Sequence, residues 1–381
     1  MSSIEVVTDL IALPAMRPGS NQVDWDDVTV TAIALGLAPL LYWRLEQRRV
    51  ELPPLALAKL SVTHQAHAKR NSDIARQLAE LLAAFERQQI EVLVLKGALL
   101  AATVYPDPAL RPMNDIDLLF RPEDLPRVRP VLEGLGYWGK HKSADQGPGI
   151  SKHLSTYRRQ GQRGSTPNPY LSPAADRMVE PHGSLAESWF GLNVDITPGV
   201  WERAVPIRLY DQPAFRLGTT DMLLHLAVHA AFHVIMGAPV FVQLYDIGRV
   251  IEAWIEEVDW AQLVQLARQA KAQPFVYAGL YWAQSLYRIR MPEPPLAQLR
   301  ANCQPNLTDY IQNFDARRLI ARTQQPPLNT LQQRLQRGLS DRREAARWAG
   351  SLGAKWQIWQ TALAFYKTDT MALVKQKFVS H

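Results

Sequence analysis

The chain is poor in cysteine: Cys303 is the only one in 381 residues. No internal disulfide can form, so packing alone must hold the fold, and a reducing cytoplasm is the expected setting. Cys303 itself reads as a small apolar residue. The chain also lacks a long uninterrupted apolar run. Its most apolar stretch, residues 223–242, is broken by His225, His229, His233, Gly237 and Pro239. That pattern predicts a buried helix rather than a membrane span. The first sixteen residues carry acids and no basic lead, so they make a poor secretory signal. There is no internal repeat. Charged residues are 20% of the chain and hydrophobic ones 47%, the balance of a soluble globular protein with a sizeable core. A net charge of +6 suits a polyanionic ligand without specifying one.

What is present is concentrated in residues 95–120, LKGALLAATVYPDPALRPMNDIDLLF. Asp115 and Asp117 flank Ile116 in a strand-like run. Side chains on a strand alternate faces, so both carboxylates share one face while Ile116 turns to a core. Two carboxylates held this close repel each other, and a divalent cation between them resolves the conflict. Mg²⁺ is the natural guest, since it is commonly held by one or two carboxylates and substrate phosphates. On the same argument, removing either carboxylate should be neutral or mildly stabilising without metal. Upstream, Glu91 to Leu95 reads as a strand, Lys96-Gly97 as a turn and Ala98 to Tyr105 as a helix. A helix N-terminus after a glycine turn is a ready anion site, and Lys96 adds a positive charge. Together these features describe a site for a Mg²⁺-bound (or Mn²⁺-bound) nucleoside triphosphate.

This segment resembles the nucleotidyltransferase superfamily that includes DNA polymerase beta. It resembles more closely a bacterial branch of uncharacterised nucleotidyltransferase-like proteins. Leu95-Lys96-Gly97, Tyr105-Pro106-Asp107-Pro108 and Arg111 to Leu119 carry the likeness in order. The superfamily usually has Gly-Ser at the turn, where this chain has Lys96-Gly97. The resemblance extends to a Val-Glu-x-His strand, here Val179 to His182, to the Leu-Leu-His helix and to Tyr245-Asp246-Ile247. It implies a third carboxylate on a neighbouring strand, for which Glu180 is the first choice and Asp195 the second. It further implies that Asp115, Asp117 and Glu180 are both catalytic residues and metal ligands. Lys96, Gly97, Arg111, His182 and His229 are then the expected nucleotide contacts. Arg111 can equally anchor its own loop.

Around this core the chain reads as helical. Residues 25–48 predict one or two helices, and Pro53-Pro54 interrupts the chain. Residues 56–88 carry apolar positions at helical spacing and predict one long amphipathic helix. A helix should follow Arg121 and run to about Leu135, and a strand should start at Gly136. Residues 139–176 form a polar insertion with Arg158, Arg159 and Arg163 and one strand-like run. It is read either as a phosphate-facing loop that orders on ligand binding or as a solvated excursion. From about residue 217 helices follow, with Thr219-Thr220-Asp221 as a candidate N-cap and further helices at 243–257, 259–272 and 274–288. The segment from Leu331, with Trp348, Trp356 and Trp359, reads as a packed amphipathic tail before a nucleic-acid surface. His225, His229 and His233 fall on one helical stripe. Leu226 stands where a zinc-protease motif needs glutamate, so the stripe is expected to line the cleft without a structural metal.

The expected fold is α/β (α+β), with a helical cap over residues 1–89, a small mixed-sheet nucleotidyltransferase core over 90–215 and an α-helical domain over 216–381. The expected activity is metal-dependent transfer of a nucleoside monophosphate from a nucleoside triphosphate to an acceptor hydroxyl. The acceptor can be a protein, an RNA or a small molecule, and no membrane is involved. Two alternatives stay open: a catalytically inactive or regulatory nucleotide-binding protein of the toxin–antitoxin kind, and kinase-like phosphoryl transfer.

Overall fold

Asp24 caps the helix that starts at Trp25 by accepting hydrogen bonds from the backbone N–H groups of Asp26 and Asp27. The structure, a computed structural model, describes residues 2–12, 23–139, 156–159, 178–323 and 330–361. Helices α1 (Ser3–Ile11), α2 (Trp25–Ala34) and α3 (Ala38–Gln47) precede the long α4 (Pro54–Arg87). Gly36 separates α2 from α3 in the left-handed conformation, with φ of 73°. The chain is interrupted at Pro53-Pro54: Pro53 is the N-cap of α4 and Pro54 its first residue, where the missing N–H costs nothing. The 34 residues of α4 span about 50 Å. They bury Leu60, Ile74, Leu78, Leu81, Leu82 and Phe85 along one face. Midway, the Asn71 side chain donates to the carbonyls of Pro108 and Arg111, fixing the loop ahead of the acidic strand.

The strands are β1 (Leu93–Val94), β2 (Asp115–Leu119), β3 (Tyr137–Gly139), β4 (Tyr157–Arg159), β5 (Met178–His182), β6 (Ala186–Trp189), β7 (Leu192–Asp195), β8 (Val205–Leu209) and β9 (Gln212–Arg216). Seven of them form one sheet in the order β3-β4-β5-β2-β1-β9-β8, and β6 and β7 pair separately. The β2–β5 and β1–β9 pairs are parallel and the others antiparallel, so the sheet is mixed as expected. Helix α5 (Lys96–Thr103) leaves β1, and α6 (Leu125–Gly134) joins β2 to β3. Ile116, Leu118 and Phe120 are fully buried, and Phe120 meets Phe85 of α4 with ring centroids 4.9 Å apart.

Helices α7 (Thr219–Met236), α8 (Phe241–Trp254), α9 (Trp260–Gln269), α10 (Gln273–Tyr287), α11 (Glu293–Arg300), α12 (Pro305–Gln312), α13 (Ala316–Thr323) and α14 (Leu331–Trp348) follow. A final helix covers 352–361. Among the described residues, α7 is the one helix long and apolar enough to cross a membrane, but 89% of it is buried inside the protein. It is a core helix. Gly279 of α10 lets it approach closely, since a Cβ there would stand 2.5 Å from the Ala227 carbonyl oxygen. Trp348 is buried and stacks on Phe275, whereas Trp356 is exposed.

One expectation changes. Gly218, not the threonines, is the N-cap of α7. Thr219 donates to Glu257, and Asp221 accepts two hydrogen bonds from Arg203. Within the insertion, Arg158 and Arg159 lie on β4, and Arg159 pairs with Glu80 and covers the Tyr137 ring. It is therefore a fastening to α4. Arg163 and the rest of 140–155 and 160–177 lie outside the described residues.

Candidate active site

The parallel register of β2 and β5 sets Asp117 directly opposite Glu180 and Leu119 opposite His182. Period-two alternation then puts Asp115, Asp117, Glu180 and His182 on one face of the sheet. Asp117 is 5% exposed at its side chain. Its Oδ1 accepts a hydrogen bond from His182 Nε2 at 2.7 Å and another from Lys96 Nζ at 3.0 Å. Glu180 accepts from the Thr156 hydroxyl at 3.3 Å. His182 is 1% exposed. It holds Asp117 and does not stand among the residues lining the cavity described below.

Lys96 stands at the first position of α5 with φ of 44°. A non-glycine residue adopts this left-handed conformation only at a cost, and such residues gather at functional sites. Gly97 beside it answers to space. A Cβ there would lie 3.1 Å from Met113 Cγ and 3.2 Å from Arg111 Nη1. The absent side chain lets the turn close onto the loop that delivers Asp115.

The carboxylates differ in charge state. Burial, reinforced by Asp117, pushes Asp115 up to about 6 against the pull of Lys96 and Arg111. Burial also works against Asp117, but Lys96 and His182 overcome it and hold Asp117 well below the usual carboxylate range. Burial followed by Asp117 and Asp115 pushes Glu180 up to about 7. For Lys96, burial lowers the ammonium but Asp117, Asp115 and Glu187 outweigh it and raise it.

These side chains line a cavity of about 540 Å³, large enough for a small-molecule ligand. Its other walls come from α7, α8 and β6, with Trp189, Leu226, Met236 and Phe241 supplying apolar surface. Arg111 reaches it but is fully engaged. Its Nε lies 2.9 Å and its Nη2 2.7 Å from Asp246, which is 0% exposed, and Nη1 donates to the Pro112 carbonyl. Tyr105 donates to the same aspartate at 2.7 Å. Arg111 thus anchors the loop, the second of its two expected roles. With Arg111 and Asp246 set against each other, the remaining acidic side chains of the described lining are Asp115, Asp117, Glu180 and Glu187, which share it with Lys96, His229 and His233.

Of the histidine stripe, His229 and His233 line the cavity, while His225 is buried beside His229 with ring centroids 5.9 Å apart. His229 Nδ1 lies 2.8 Å from Glu187 Oε1, and His233 Nδ1 donates to the Pro239 carbonyl at 2.9 Å. Sequence reasoning missed Glu187. The signal was the Phe190-Gly191 turn between two alternating runs, a hairpin mark that puts Glu187 and Trp189 on one face of β6. The same alternation turns Asp195 outward with Asn193. Asp195 is exposed and accepts from the N–H and hydroxyl of Thr197, so it is not part of the cavity wall.

A metal ion fits this donor set. Oxygen atoms of Asp117 and Glu180 and a nitrogen of His182 all lie within 4.8 Å of one another. Two carboxylates with an imidazole match the ligands of Mn²⁺ or Zn²⁺, and Mg²⁺ if His182 only orients Asp117 from behind. Asp115 is a further carboxylate on the same strand face.

The family described as "Uncharacterised nucleotidyltransferase" matches residues 21–288. Among solved structures, the chain is similar to the crystal structure of an antigenic nucleotidyltransferase-like protein from Paracoccidioides brasiliensis. The identity is 12% and the TM-score 0.34, over 58% of this chain and 94% of that one. No curated protein matches the chain.

Proposed function

Because the chain belongs to this family of uncharacterised nucleotidyltransferases, we propose that it moves a nucleoside monophosphate from a nucleoside triphosphate to an acceptor hydroxyl, within the superfamily that includes DNA polymerase beta. The observation that carries the reading is the register pairing of Asp117 with Glu180, with Asp115 on the same strand face, beside Lys96 at the start of α5. Asp115, Asp117 and Glu180, with His182 in support, would hold a divalent cation, Mg²⁺ or Mn²⁺. When bound, such an ion neutralises phosphate charge and eases deprotonation of the acceptor.

The remaining work falls to the chain itself. Lys96 and the N-terminus of α5 attract the triphosphate. His182 keeps Asp117 oriented and ionised. The apolar wall of α7 and α8 excludes water around the nucleoside. In the reaction the acceptor oxygen bonds to the α-phosphorus, the bond to pyrophosphate breaks, and the acceptor proton passes to the carboxylates or to water. The single cysteine supports a reducing cytoplasm as the setting.

One observation favours a second reading. The Lys96 ammonium already sits on Asp117 where a metal would compete, as expected of a nucleotide-binding protein without catalysis. Incubation with Mg²⁺ and ATP labelled at the α or γ position separates the classes. α-Label on a product supports nucleotidyl transfer, γ-label alone means kinase-like chemistry, and bound nucleotide without transfer favours the regulatory reading.

A further inference from the structure

Asp117 offers one oxygen, Oδ1, to two donors at once, His182 Nε2 at 2.7 Å and Lys96 Nζ at 3.0 Å. Neither donor is at the surface, with side chains 2% and 11% exposed. A cation binding Asp117 must therefore contend with an ammonium that the protein has put there itself. Displacing that ammonium within the site leaves a buried positive charge without its acceptor, which is expensive. The cost disappears if the incoming ligand brings new acceptors. A triphosphate does so, and the start of α5 is where backbone geometry favours its arrival. Lys96 has the flexible four-carbon stem such an exchange needs, while its left-handed backbone, with φ of 44°, pins the stem at the turn.

We propose that Lys96 is a built-in countercation that keeps the carboxylate site from loading a metal alone and passes to the phosphates when metal and nucleoside triphosphate arrive together. The inference rests on the nucleotidyl-transfer reading and deepens it, because it makes the metal–nucleotide complex the species that binds. His182, with no such stem, stays on Asp117 throughout and keeps the carboxylate aimed.

The test is a pair of titrations on the full chain, with free Mn²⁺ followed by electron paramagnetic resonance. One uses Mn²⁺ alone and the other Mn²⁺ with ATP, on wild type and Lys96→Met, each checked for folding by circular dichroism. Lys96→Met should bind Mn²⁺ alone about tenfold more tightly than wild type, and Mn²⁺–ATP about tenfold more weakly, opposite signs from one substitution. In the wild type, tripolyphosphate should raise Mn²⁺ affinity by about the same factor or more, an arm that needs no variant to fold. The inference is overturned if wild type and variant take up Mn²⁺ alone equally well, or if tripolyphosphate leaves wild-type Mn²⁺ affinity unchanged while Mn²⁺–ATP still binds. Failure of the wild type to bind Mn²⁺–ATP at all would instead remove the transferase reading on which the inference stands.

Discussion

Two acidic clusters border the same cavity and meet their charge in different ways. Around Asp246, a carboxylate with no exposure receives a forked Arg111 and the Tyr105 hydroxyl. Charge and hydrogen bonds balance, and the burial that would lower Arg111 is outweighed by Asp246, which raises it. Around Asp117, three further carboxylates, Asp115, Glu180 and Glu187, share the cavity with one ammonium, and two of them are pushed up to about 6 and about 7. A matched buried acid fastens one element to another, here the loop before β2 to α8. The Asp117 side is acid-rich even with His229 on Glu187 and with His182 and Lys96 on Asp117. Burial and neighbouring carboxylates hold Asp115 and Glu180 above their ordinary values. A bound cation would relieve this charge imbalance, and it is in this sense the unmatched side. The contrast separates a structural pairing from a candidate site.

The sharpest way to break the comparison is to unbalance the matched cluster. Arg111→Ala leaves Asp246 buried and unpaired, and Asp246→Ala does the same to Arg111. Each should cost about 3–5 kcal/mol of stability, read from urea unfolding. Asp115→Asn, made in the unmatched cluster, should leave the metal-free protein as stable as before or more so. A loss below about 1 kcal/mol at Asp246 would mean that its partner relaxes into water, and the matched cluster would lose its structural role.

Ligand addition should reverse the ranking. At a hundredfold excess over Kd, Mg²⁺–ATP should stabilise the wild type by about 2.7 kcal/mol. Asp115→Asn and Asp117→Asn should lose this gain, whereas Asp195→Ala, altered at an exposed acid, should keep it. The two aspartates part company without ligand. Sequence symmetry makes either replacement neutral or favourable, but Asp117 is the acceptor for both Lys96 and His182. Asp117→Asn should therefore lower the metal-free melting temperature while Asp115→Asn does not. Equal behaviour of the two would show that the Lys96 contact contributes nothing.

A smaller effect probes the matched side again. Tyr105→Phe removes one hydrogen bond to the charged Asp246 and should cost about 1.5–2 kcal/mol, with the response to Mg²⁺–ATP unchanged.

The parts of this comparison that the sequence disclosed are those governed by local rules. The alternation of Asp115-Ile116-Asp117 and of Glu180 with His182 needs only the period of a strand, and the long α4 needs only apolar spacing. What stayed hidden depends on elements distant in the chain. Arg111 meets Asp246 across 135 residues and His229 meets Glu187 across 42, pairings that no local pattern encodes. The N-cap of α7 was misread because Thr219 and Asp221 have tertiary partners, Glu257 and Arg203, that outbid the cap. Lys96 was legible as a cation near phosphate, but its present partner is Asp117, visible only once β1 and β2 lie side by side.

The last prediction concerns pH and the Asp117 side of the cavity. Asp115 and Glu180 are held at about 6 and about 7 in the folded chain, above the unfolded carboxylate values near 4. Between these limits the folded state binds more protons than the unfolded one, so stability falls as pH rises. The contribution is complete below about pH 4 and is lost as pH climbs through about 6 to 7. Asp117 has the opposite sign. Its lowered value adds stability that is present above pH 4 and lost only as pH falls through its folded value, well under 3.8. In metal-free buffer the protein should therefore lose stability between pH 5 and 7.5, and the melting temperature should fall with it. Asp115→Asn should flatten that slope, since it removes one titrating group and the smaller part of the repulsion on Glu180, whose value is raised first by burial and then by Asp117. Tyr105→Phe should leave it alone. A flat profile in the wild type would mean that Lys96 neutralises the cluster more completely than its single ammonium suggests, and the division into a matched and an unmatched side would then fail on its own electrostatic terms.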